Sequence, residues 1–182
     1  NRSALMGFKI KHIPAMLMAL MLVLGTVSCR QDLEGFSHIP EIELKSVELV
    51  KDGANLDSLV KITFTYKDGN GDIGLTPSDT FAPYNSGSVY QYNLWWEIFE
   101  IKNGNKTPVL DATRAEPENF NLRTPDLRPN GKIKQISGEM SVKVNAYAIK
   151  LYPDSIQCHL TLIDRSLNHS NTIETNVIRL VY

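Results

Sequence analysis

Three observations predict an all-β fold. Hydrophobic residues alternate with period two through nearly every segment after Pro40. No window presents an apolar stripe at helical spacing. Turn residues such as Asn-Gly and Asp-Gly punctuate the alternating runs into about seven strands, the count and spacing of a single immunoglobulin-like antiparallel β-sandwich over 41–182. A closed barrel is the main alternative.

The elements follow in order. "EIELKSVELV" places Ile42 and Leu44 on one face, then changes phase to Val47 and Leu49, which predicts a bulge near Ser46. "LVKITFTY" points Val60, Ile62, Phe64 and Tyr66 one way and Lys61, Thr63 and Thr65 the other. In "YNLWWEIFEI", Leu94, Trp96 and Ile98 share a face, so Trp96 belongs to the core and Trp95 to the opposite side. "KNGNK" is a hairpin signal and "TPVLDA" the expected return strand. The proline-bearing stretch 113–131 reads as irregular, with at most a short strand at Phe120–Leu122. "EMSVKVNAYAI", "SIQCHLTLI" and "TIETNVIRLVY" complete the series.

The chain has 182 residues, 42% hydrophobic and 21% charged, with a formal net charge of −1, which fits one globular domain plus an appendage and gives no basic footprint for nucleic acid. The appendage is 1–28, read as a leader and a cleaved signal peptide whose start is Met6. Lys9 and Lys11 precede the apolar run "IPAMLMALMLVLG", too short for the roughly 20 residues of a spanning helix, and small residues follow. "LGTVSC" resembles a bacterial lipobox. The resemblance implies that Cys29 carries a lipid and that 29–40 is a lipidated tether. Removing 1–28 takes away three of the 19 basic residues and none of the 20 acids, formally −4, so acyl chains rather than a polybasic patch would hold the protein to a membrane. Cys158, the other cysteine, sits on the inward face of its strand with Ile156, Leu160 and Leu162 and reads as a small buried hydrophobe.

Chemistry is suggested at one place, "YKDGNGDIGL". Asp68, Asn70 and Asp72 alternate with glycines that let the chain curl until the side chains converge, an arrangement suited to calcium, which takes six to eight oxygen ligands. Counted as an EF-hand, Asp68 is position one and Asp79 position twelve. Ile73 then replaces the glycine of position six, Asp79 replaces the usual Glu, and strands replace the flanking helices, so the EF-hand is rejected. Asp and Asn acting as turn formers, with glycine supplying positive φ, is the competing account. In a seven-strand sandwich, the second and sixth strands run the same way. The loops that follow them leave from one end, which would bring Asp164 and Asn168 to the first three residues.

"FTYKDGNGDIGL" and "LIDRSLNHSNTIETNVIRL" together resemble a recurring pattern in exported lipoproteins of the Bacteroidetes, in which an Asp-Gly-rich loop and an Asp-Arg-x-x-Asn-x-Ser-Asn loop flank an immunoglobulin-like β-sandwich. The resemblance implies the fold and a cell-envelope location at the outer membrane, and almost nothing about activity.

The expected function is therefore a non-enzymatic, lipid-anchored envelope protein, a protein-interaction or assembly module with a calcium-stiffened loop end. The alternative is a glycan-binding surface lipoprotein using Trp95, Phe99, Tyr90 and Tyr92 as an aromatic platform, unless "TPSDTFAPYNSGSVYQYN" folds over them. No catalytic constellation emerges. None of His12, His38, His159 and His169 has a partner at zinc-ligand spacing.

Overall fold

The computed structural model describes residues 35–182 except 114, 129–133, 150 and 151. The leader, the signal peptide, Cys29 and the first half of the tether lie outside the described residues. Among the described residues there are eight strands: β1 (Glu41–Lys51), β2 (Asp57–Asp68), β3 (Leu94–Lys102), β4 (Asn105–Pro108), β5 (Ile136–Asn145), β6 (Ser155–Leu162), β7 (Ile173–Glu174) and β8 (Ile178–Arg179). They form two antiparallel sheets. One has the order β1-β2-β5, the other β4-β3-β6-β7 with β8 also on β6, and together they make a β-sandwich. Among the described residues no helix is long and apolar enough to cross a membrane.

Alternation decides the core. Val60, Ile62 and Phe64 of β2 pair with Val144, Val142 and Met140 of β5. Across the sandwich, Leu94, Trp96 and Ile98 of β3 pair with Leu162, Leu160 and Cys158 of β6. All of these but Met140, which is partly buried and packs against the rest, belong to one buried cluster, with Trp96 and Phe64 its largest members. The two sheets therefore hide their apolar faces against each other, as the hydrophobic effect requires of a two-layer fold. The phase change in β1 appears as a register shift between Leu44 and Ser46, which leaves Lys45 extra against β2.

Three local readings change. The return strand after the Asn103-Gly104 turn is Asn105–Pro108, earlier than "TPVLDA", because both turn residues take positive φ (52° and 78°) and close a two-residue hairpin at once. Phe120–Leu122 is not a strand. Only Leu122 bridges, to Leu94, while the Asn121 side chain accepts from the Trp96 amide. The last strand is split into β7 and β8 at Thr175, whose amide donates to the Cys158 carbonyl and whose hydroxyl oxygen accepts from the Cys158 amide. A buried side chain thus takes a place in the ladder that a backbone carbonyl would otherwise fill.

Candidate metal centre

The end of β2 and the end of β6 meet. Ile73, just past the glycine-rich loop, forms an antiparallel bridge with Asp164, and the Arg165 amide donates to the Asp72 carbonyl at 3.1 Å. The first loop turns because the Asp72 amide donates to Asp68 Oδ2 at 2.9 Å and because Gly71 has φ 65°. A Cβ at Gly71 would lie 1.8 Å from the Lys134 carbonyl oxygen, so neighbouring backbone also leaves no room for a side chain.

Folding that loop onto 163–169 gathers the acids. Asp68, Asp72 and Asp164 each offer a carboxylate oxygen within 4.8 Å of the others. Asp68 and Asp164 are buried at 0% and 2% exposure, and Asp72 is half-buried with its Oδ1 sealed from solvent. Three oxygens in this loop, Asp68 Oδ1, Asn70 Oδ1 and Asp72 Oδ1, are buried and accept no hydrogen bond from the described residues. Burial, with the nearby Asp72 charge second, pushes the Asp68 carboxyl up to about 6, and burial raises Asp164 as well. Each unsatisfied buried acceptor is worth about 1–3 kcal/mol of lost stability, and the like charges add to it. A cation in their midst would remove both penalties.

The remaining carboxylate oxygens are bound by the protein itself. Ser166 Oγ donates to Asp72 Oδ2 at 2.7 Å. The Asn168 amide nitrogen and side-chain nitrogen donate to Asp164 Oδ1 and Oδ2 at 2.7 and 2.8 Å. Asn168 is thus brought to the cluster as the shared direction of the two strands predicts, but it holds Asp164 in place with its nitrogens instead of offering an oxygen. Asn70, Asp68 and Asp72 supply the free oxygens.

The guanidinium next door is committed elsewhere. Arg165 forms two 2.7 Å bonds to Asp79 and a third, at 3.3 Å, to the Gly74 carbonyl. It holds the Asp79 carboxyl far below the usual carboxylate range. Asp79, the failed twelfth position of an EF-hand, is therefore an ion-pair partner. Sequence reading missed this pair and Ser166, and no spacing signal connects residues so far apart in the chain. The donors left at the cluster are all hard oxygens, which suit calcium or magnesium rather than a thiolate-seeking ion.

The aromatic residues do not make one platform. Trp95 is half-buried between Tyr90, stacked at 6.4 Å, and His169, edge-on at 4.8 Å. Phe99 lies on the same face four residues on, about 13 Å away along the strand, against His159 and under the Lys106 ammonium. Tyr92 is half-buried and joins neither group. The 76–92 loop does fold over Trp95, through Tyr90, and its base is fixed by Asp79 and by the Tyr84 hydroxyl, which donates to the Arg165 carbonyl.

Cys158 is fully buried and unpaired, and burial pushes its thiol up to about 11, which leaves it unreactive in the folded protein. No family model, no curated protein and no solved structure matches this chain, so its functional reading rests on its own residues.

Proposed function

We propose that the protein is a non-enzymatic envelope module, lipid-anchored at Cys29, whose sandwich end is stiffened by calcium. One observation supports the metal: Asp68, Asn70 and Asp72 point buried, unpartnered oxygens into a place where Asp68, Asp72 and Asp164 already crowd together. Turn chemistry alone would satisfy those oxygens through the local backbone, as it does Asp68 Oδ2. Calcium fits better than magnesium, since a loop with mixed carboxylate and amide donors suits its irregular shell of six to eight oxygens more than an ideal octahedron.

Stiffening matters because both loops belong to one face of the module. The site joins 68–73 to 163–169, and through Arg165 it also joins the base of 76–92. A surface built from three loops becomes a fixed shape when its shared root is rigid, and a fixed shape binds a partner at less entropic expense.

The test is thermal unfolding of the mature protein in millimolar calcium and in chelator. Saturation at a hundred times Kd adds about 2.7 kcal/mol, which for a domain of this size raises Tm by roughly 5–10 °C. Asp68→Asn and Asp164→Asn should abolish the rise. An unchanged Tm at millimolar calcium would sink the metal. An unmodified Cys29 in mass spectra of the membrane fraction would sink the anchor.

A further inference from the structure

The segment that enters the sandwich, 35–40, lies across the acidic loop. The Gly69 amide donates to the Ser37 carbonyl at 2.7 Å. A Cβ at Gly69 would stand 2.0 Å from the Phe36 carbonyl oxygen, so the chain passes directly over this glycine. The second loop is touched too: Asn168 Nδ2, which holds Asp164, also points at the His38 carbonyl at 3.5 Å. The segment is also held by Gln135, whose Oε1 accepts from the Phe36 amide at 3.4 Å. Pro40, next to β1, is buried.

We propose that this segment is a strap whose seating is coupled to the cation: the ion closes the loop that forms the strap's seat, and the seated strap in turn holds the loop in its ion-binding shape. The proposal rests on the metal reading above and extends it to a specific mechanical consequence. Without an ion, Asp68 and Asp72 repel each other across Gly69, Asn70 and Gly71. The loop relaxes by opening, and the Gly69 amide leaves the Ser37 carbonyl. With an ion, the carboxylates are drawn together and Gly69 is held flat beneath Phe36 and Ser37. Coupling of this kind is reciprocal, so what the ion does for the strap the strap does for the ion. The strap continues directly into β1.

The Gly69 amide is a direct reporter, because its hydrogen-bond acceptor is the strap itself. Hydrogen exchange on the mature protein, with calcium chloride or with chelator, should show that amide slowed by about tenfold or more when calcium is present, within the usual range of such couplings. Gly69→Ala should displace the strap. It should weaken calcium binding by about tenfold while the Cys158 amide, in a buried bond to Thr175, keeps its protection. Gly69 has no positive φ, so alanine meets only the strap and not a backbone penalty. Gln135→Ala, which removes a strap contact but no proposed ligand, should give the same change in smaller degree and serves if Gly69→Ala does not fold.

Equal exchange at Gly69 with and without calcium, in a protein whose calcium binding is lost in Asp68→Asn, would refute the coupling and leave the site standing. Native calcium affinity in both strap variants would refute it as well. Failure of the native protein to bind calcium would overturn the site and the strap together.

Discussion

Arg165 and Asp79, 86 positions apart, form a two-bonded ion pair at 2.7 Å beside a carboxylate cluster that the same arginine does not neutralise. The pair fastens the 76–92 loop to 163–169, while Asp164, one residue away, stays in the acidic group. Neutralisation of one acid and exposure of three others to a common centre are thus decided by which way one side chain points.

Breaking this pair should be expensive. Asp79 and Arg165 are largely enclosed, with side chains 15% and 21% exposed, and Asp79 also accepts from the Thr76 amide and hydroxyl. Asp79→Ala should destabilise the protein by about 2 kcal/mol, measured by urea unfolding, since bonds to charged groups are worth roughly 1.5–3 kcal/mol. A double-mutant cycle with Arg165→Met should show coupling of about 1 kcal/mol or more. Additive effects would mean that the pair contributes nothing specific.

The same pair predicts an acid limb. Asp79 titrates in the folded protein far below its unfolded value of about 3.9. Its contribution is present in full above that unfolded value and is lost as pH falls through the folded one. The stability difference between the native protein and Asp79→Asn should therefore be constant from pH 7 to about pH 5 and shrink steadily below pH 4. A difference that stays undiminished down to pH 2.5 would assign the effect to neutral hydrogen bonds instead.

Gly74 offers a backbone test. Its φ is 101°, and a Cβ there would lie 1.9 Å from the Pro125 carbonyl oxygen. Gly74→Ala combines strain with a clash that no rotamer relieves, so a loss of about 2–4 kcal/mol is expected in the same urea assay. A loss under 1 kcal/mol would show that 124–127 can move aside.

The core thiol provides a probe of opening. In a Cys29→Ser background, Cys158 should resist a thiol reagent in native buffer and react at the rate of global unfolding, because it is fully buried and its thiol is shifted up to about 11. Fast labelling under native conditions would contradict its place between the sheets.

Much of the fold was legible because alternation is a local signal. Val60, Ile62, Phe64, Leu94, Trp96 and Ile98 lie inward where period two places them, and the slip near Ser46 is visible as a change of phase. The split at Thr175 was not legible. It depends on Thr175 meeting the Cys158 backbone, a partner on another strand. The candidate site was legible in part. Asp68, Asn70 and Asp72 stand out by spacing, and strand direction brings Asp164 to them. The bracing role of Asn168 and the capture of Asp79 by Arg165 had no such signal. The aromatic residues show the same limit, for Trp95 and Phe99 share a face yet are claimed by different neighbours, His169 and His159.

By itself the sequence determined which side of each strand faces the core and which loop is rich in oxygen donors, because side-chain direction in a strand and turn formation by glycine and aspartate depend on a few adjacent residues. Only the tertiary structure decided which acids stay unpartnered, which one an arginine takes, and that the 35–40 segment lies over Gly69. Those outcomes depend on which loops come to rest side by side, and the pairing of a buried charge is set by the neighbour that reaches it first in space rather than in sequence.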